Sequence, residues 1–311
     1  MERLRHSLIS GLLLLCLAMI AGQRAVAEAF QFTVTTAANE VIIVEAPDTA
    51  FKIALSGTSG SPAYSHYAYT HIAAIKPEDG AQYAVTVEVN NSNQSVTAAE
   101  FTVYTQPANA LWNWLSWFSA NYAEPATTAD LTEQIARQNN AETACVATAL
   151  LARQHLIAEN AEQAASLLAP AADGYVCWQL AALAMAANFD IYHFADASNA
   201  GMALLPGQFN NALAHAASVI NPADWQPTLA PLKSQPTRHT LPATSYLATQ
   251  LVATLGFSNL LHGSVVSSQT LMEAGKYSLE QARSQAIEQG YTKQLPDIYN
   301  GLATYWSLAN D

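Results

Sequence analysis

The sequence predicts a multidomain chain, β then α: an antiparallel sandwich followed by an all-α domain of helical hairpins. Three observations predict it. Residues 30–105 are rich in Val, Thr, Ile and Tyr and alternate apolar with polar residues at period two, the pattern of half-buried strands. After residue 127, Ala and Leu dominate and apolar residues recur at helical spacing. Ahead of both, Arg3 and Arg5 precede an apolar run from Leu8 to Ala21 and the small-x-small triplet Ala25-Val26-Ala27, the layout of a secretory signal peptide cut before Glu28. The expected organisation is a leader over 1–27, a β-sandwich over 28–106, a Trp-rich linker over 107–127 and a helical domain over 128–311.

The strands are expected in this order. Phe30, Phe32 and Val34 alternate with Gln31, Thr33 and Thr35. Val41 to Glu45 and Phe51 to Leu55 are short apolar strands, and residues 57–62 form a Gly/Ser/Pro turn cluster. Tyr64 to Ile75 is one long strand or two; Lys76-Pro77-Glu78-Asp79-Gly80 turns the chain. Tyr83, Val85 and Val87 alternate cleanly, and Phe101, Val103 and Thr105 close the set after an Asn-rich turn. Strands this short, at intervals of about ten residues, argue for a sandwich.

Asp79-x-Ala81-x-Tyr83-x-Val85-x-Val87 resembles the sixth-strand signature of immunoglobulin-like domains, Asp-x-Ala/Gly-x-Tyr-x-Cys-x-Val. The resemblance covers about 75 residues. It implies an immunoglobulin-like sandwich in which Tyr83 bonds back to the preceding turn. Val85 stands where antibody-type domains carry a disulfide Cys, and the β region contains no cysteine. In the strand around Tyr64–Ile75, alternation puts Tyr67, Tyr69 and His71 on one face and His66 on the other. That parity argues against a metal shared by the two histidines.

Trp112, Trp114 and Trp117 fall within six residues at the joint. They are read first as a wedge fixing the two domains, with a glycan platform and a membrane-interface anchor as the other readings. Thr128 is the candidate N-cap of the first domain helix. Helices are expected over Glu142–Ala158, Ala161–Leu168 (capped by Asn160), Tyr175–Ala187, from Asp190 towards Leu205, Gln208–Val219, Thr244–His262, Ser264–Gly275, Ser278–Gln289 and Pro296–Leu308. Five prolines over 222–242 mark a long irregular connection. A shift of 34 residues pairs Leu151, Ala152, Ala164 and Leu168 with Met185, Ala186, Ser198 and Met202, which weakly resembles tetratricopeptide hairpins.

Charge and cysteine usage narrow the function classes. The 311 residues carry 12 Lys+Arg and 24 Asp+Glu, a net charge of −12. Cleavage after Ala27 leaves 9 basic and 23 acidic residues, a net of −14. Phosphate backbones and anionic headgroups repel such a chain, so no nucleic acid and no lipid surface is expected as partner. Cys16 lies in the leader, and Leu13-Leu14-Leu15 lack the small residues expected before a lipid-modified Cys. Cys145 and Cys177 remain, and two cysteines in an exported chain point to a disulfide. Residues 241–266 are uncharged but interrupted by Pro, Thr, Ser, Gln, Asn and His, so a buried helix is expected rather than a membrane span.

No catalytic motif stands out. The best helical constellation is Asp190, Tyr192, His193 and Asp196, where an Asp three residues away could orient the imidazole as a general base. The plainer reading makes Asp190 a helix cap, His193 a packing residue and Asp196 a solvated acid. Lys276-Tyr277 reads as a helix connection. Arg238 and His239 sit in the proline-rich segment, and with Trp112, Trp114 and Trp117 they complete the candidate binding residues. No metal site and no cofactor is expected. Between Ala197 and Met272 only Asp224, Lys233 and Arg238 are charged, which means buried helices or a partner surface. The expected role is an exported protein, periplasmic or secreted, that binds or scaffolds a protein or peptide partner of the envelope, with a glycan as the second ligand class. The rivals are a polysaccharide-active enzyme with an accessory sandwich and a subunit of an envelope assembly.

Overall fold

A computed structural model describes residues 28–46, 51–57, 64–70, 72–78, 80–89, 96–121, 127–138, 141–169, 177–221 and 245–309. Seven strands come first: β1 (Glu28–Thr35), β2 (Glu40–Glu45), β3 (Phe51–Gly57), β4 (Tyr64–Thr70), β5 (Ile72–Ile75), β6 (Gln82–Val89) and β7 (Thr102–Pro107). They form two antiparallel sheets, a four-stranded one in the order β1-β6-β3-β4 and a three-stranded one in the order β5-β2-β7. The segment expected as one strand or two over 64–75 is two strands, β4 and β5, in different sheets.

Alternation explains the layering. Ile42 and Val44 on β2, with Ala73 and Ile75 on β5, face inward against Ile53, Leu55, Tyr83, Val85 and Val87 of the larger sheet. Their neighbours Val41 and Ile43, with Ile72 and Ala74, face the opposite way and join the helical core. The smaller sheet is therefore a middle layer buried on both faces. That is why Val41-Ile42-Ile43-Val44 is continuously apolar where a half-exposed strand would alternate.

Ten helices are described: α1 (Ala110–Asn121), α2 (Thr128–Arg137), α3 (Ala141–Ile157), α4 (Ala161–Leu168), α5 (Trp178–Asp190), α6 (Phe194–Leu204), α7 (Pro206–Val219), α8 (Tyr246–Val265), α9 (Gln269–Gln289) and α10 (Leu295–Ala309). The Trp-rich segment expected as a linker is the helix α1. Asn109 opens it by accepting from the Trp112 N–H at 2.9 Å. The helix lies along the free edge of β5: Ser119 Oγ accepts from Ala74 N at 3.1 Å and Ser116 Oγ from Lys76 N at 3.0 Å. Two side-chain hydroxyls thus satisfy edge amides that would otherwise invite another strand. Trp112 and Phe118 are buried, and Trp114 stacks on Phe118 at 5.2 Å between ring centres.

Most expected helices are present, with informative differences. Thr127, one residue earlier than expected, caps α2 in a reciprocal box with Asp130. Asn160 caps α4 as expected. The helix expected from Tyr175 is described from Trp178 and runs on to Asp190, so Asp190 ends α5 and does not cap α6; His193 holds that position. The break expected at 275–278 is absent. α9 runs through it unbroken, because Gly275 is a contact and not a stop: a Cβ there would lie 2.6 Å from the Gly256 carbonyl oxygen and 2.7 Å from Leu260 N on α8. Gly290, at φ +75°, ends α9 in the left-handed conformation glycine tolerates.

The Cys145–Cys177 bridge joins α3 to the N-cap of α5, with the Cα atoms 6.3 Å apart. α6 and α8 are buried along much of their lengths, which accounts for the missing charge in the described parts of 197–272. No described helix is long and apolar enough to cross a membrane. The proline-rich stretch 222–244 lies outside the described residues.

Candidate functional site

Glu45 is the last residue of β2, on the face that meets the helices. Register places it opposite Thr102 of β7, with Tyr104 diagonal to it on the same face. The Tyr104 hydroxyl donates to Glu45 Oε1 at 2.6 Å, and Gln179 Nε2, from the first turn of α5, donates to the same oxygen at 2.9 Å. Trp178 hydrogen-bonds the Tyr104 hydroxyl in turn. Glu45 Oε2 is buried and has no hydrogen-bond partner among the described residues. Burial pushes the carboxyl from 4.5 up to about 8, against the two hydrogen bonds that lower it. Burial and the neighbouring carboxylate both push the Tyr104 hydroxyl further up.

This carboxyl lines a cavity of about 150 Å³ between the middle sheet and helices α3, α5 and α8. The walls are largely apolar, built from residues such as Ile72, Leu150, Leu183, Leu247 and Leu251, and among the described residues Arg153 is the one cation on them. Gln179 and Gln250 also line the cavity, and the buried Oε1 of each has no partner among the described residues. A second cavity of about 480 Å³ adjoins the first, since Ala186, Gln250 and Thr254 line both. It is more polar, with Asp190, Lys293, Gln294, Asp297 and Asn300 on its wall. Partial burial pushes the Asp190 carboxyl up. Lys293 spans to the β region, bonding Glu100 at 2.6 Å. The two cavities are neighbours; the apolar one, against the middle sheet, is called the inner chamber, and the more polar one, lined from the helices and the segment before α10, the outer chamber.

The residues singled out from sequence are dispersed. His193 Nδ1 and Asp196 stand 4.0 Å apart, both side chains largely in solvent. Tyr192 is 79% exposed, at φ +63°, edge-on to Phe194. Asp190 alone of that constellation lines the cleft. Trp112 is buried and Trp114 partly so; Trp117 is half exposed. Arg238, His239, Asp79 and His71 lie outside the described residues, as do the side chains of β4. Lys276, expected in a connection, sits on α9 with its ammonium 4.9 Å from the ring centres of both Tyr305 and Trp306. Among the described residues no group of three or more His, Cys, Asp or Glu is placed to hold a metal ion.

Sequence reasoning passed over Glu45, Tyr104, Gln179 and Gln250. The signal for Glu45 lies in β2 itself: an acid in register with Val41 and Ile43 on a doubly buried strand must be inside. For the two glutamines, on helices expected from sequence, no local signal exists.

The fold and site define a class in general terms: two stacked antiparallel sheets backed by helical hairpins, with a cleft where the layers meet. No protein-family model, no curated protein and no solved structure matches the chain.

Proposed function

We propose that the chain is an exported binding protein, periplasmic or secreted, that takes a protein or peptide segment into the cleft between β2 and helices α3, α5 and α8. The observation that carries this reading is the set of buried polar atoms without partners among the described residues on a largely apolar wall. Such groups cost stability unless something donates to them. A chain of net charge −12 also favours a basic partner. Export rests on the leader-like segment 1–27 and fits the Cys145–Cys177 bridge.

An immunoglobulin-like ancestry is supported by two pairings. β2–β5 and β3–β6 correspond to the second–fifth and third–sixth strand pairs of that sandwich, and Tyr83 on β6 is fully buried. The departure is at the termini: β1 pairs with β6 and β7 with β2, the reverse of their usual sheets. For the tetratricopeptide-like reading, the support is that Leu151, Ala152, Ala164 and Leu168 are all buried where α3 and α4 pack.

Affinity capture from an envelope extract tests the function, comparing the wild-type protein with Ala186→Phe. Ala186 lines both chambers, so a phenyl group there obstructs the cleft. The expected result is a partner held by the wild type and lost by the variant at an unchanged melting temperature. Equal capture by both proteins, or consumption of a polysaccharide by the wild type, overturns it.

A further inference from the structure

The chemistry of the inner chamber narrows what enters it. Glu45 Oε1 already receives both Tyr104 and Gln179, so the bare side of that carboxyl is Oε2. Gln179 Nε2 donates to Glu45, which fixes the other end of that amide as an acceptor. With Gln250 Oε1, three residues from three separate elements, β2, α5 and α8, line one small cavity and each carries a buried oxygen without a partner among the described residues, the Glu45 oxygen acting as an acceptor once its carboxyl ionises.

Resting on the cleft as a binding site, we propose that the inner chamber receives a primary alkylammonium group, from a lysine side chain of a partner peptide or from a free alkylamine. An ammonium carries three donors with no acceptor and matches three acceptors spread around a cavity. A guanidinium presents its donors in one plane and suits a two-oxygen fork. A hydroxyl brings one donor and leaves acceptors unmet. The apolar wall accommodates a methylene stem, as apolar surfaces do along lysine side chains. Arg153 is the other charged group on this wall, and it does not enter the titration of Glu45, which burial and two hydrogen bonds govern. Asp190, Lys293 and Asp297 face the outer chamber.

The binding carries a proton signature. Glu45 holds its proton at neutral pH, and an ammonium beside it favours the ionised form, so the guest displaces about one proton near pH 7.

The test uses n-pentylamine and a short lysine-containing peptide, against pentan-1-ol and the same peptide with its lysine acetylated. Intrinsic tryptophan fluorescence and calorimetry in two buffers of different ionisation heat follow the binding. The expected result is that the amine and the lysine peptide compete for one site and release a proton. Pentanol and the acetylated peptide should bind at least ~10-fold more weakly. Glu45→Gln abolishes the preference, and Gln250→Leu, which leaves the carboxyl in place, weakens it. Binding of the amine alone identifies a free amine as the source. Equal binding of pentanol, or an unchanged preference in Glu45→Gln, overturns the inference. Absence of amine binding while Ala186→Phe still blocks the captured partner also overturns it, but leaves the cleft standing. A captured partner indifferent to Ala186→Phe removes the cleft itself.

Discussion

Tyr104 and Glu45 share one hydrogen bond of 2.6 Å across β7 and β2, and through Gln179 and Trp178 that bond ties the middle sheet to the first turn of α5. Among the described residues, the carboxyl is held inside by donors to one oxygen only. Its titration therefore acts on stability in a defined direction. Glu45 is raised from 4.5 to about 8, so the folded chain binds the proton more tightly than the unfolded chain. This contribution is fully present below pH 4.5 and is lost as pH rises through 8, about 5 kcal/mol at most. Urea midpoints across pH 5–9 should fall for the wild type relative to Glu45→Gln. Parallel curves would remove the buried carboxyl from the account.

The disulfide makes a separate prediction. Cys145 and Cys177 close a loop with a sequence separation of 32. Chain-entropy reasoning assigns such a bridge ~4 kcal/mol. Replacing both cysteines by serine should lower the unfolding free energy by that amount, and dithiothreitol should do the same to the wild type alone. A reductant effect on the double variant would point elsewhere.

Two glycines on helices should respond oppositely to alanine. At Gly275 the new methyl meets Gly256 and Leu260 backbone atoms inside van der Waals distance, and overpacking of this kind costs about 1–3 kcal/mol. At Gly207, in the first turn of α7, nothing among the described residues lies within 4 Å of the new methyl, and alanine should stabilise by about 0.4–1 kcal/mol. Calorimetric melting of the two variants measures both signs.

The Lys293–Glu100 pair bridges the β region and the helices, its lysine side chain 40% and its glutamate side chain 10% in solvent. Solvent screening keeps its value to about 0.5–1 kcal/mol. Lys293→Met should lose that much at low salt and little at high salt. A salt-independent loss would assign the effect to packing.

The strands and helices were legible because their patterns are local: period two in Phe30–Val34 and Tyr83–Val87, caps at Asn160 and Gly290. Errors arose where a tertiary contact reassigns a local signal. Gly275 looks like a stop in sequence and is a crossing point in space. Asp190 has the chemistry of a cap and sits at the other end of a helix. The Trp-rich stretch looks like a joint and is a helix covering a strand edge. The site was less legible than the fold, because its acceptors are 134 residues apart between Glu45 and Gln179 and meet only when the layers stack. Within β2, the uninterrupted run Val41–Val44 did carry the information that Glu45 follows a doubly buried strand.

The most direct measurement is a carbon-13 NMR titration of the Glu45 side-chain carboxyl, with and without n-pentylamine. The account predicts a midpoint near 8 in the free protein, displaced downward when the amine binds. A midpoint near 4.5 in the free protein, or one the amine does not move, would contradict it.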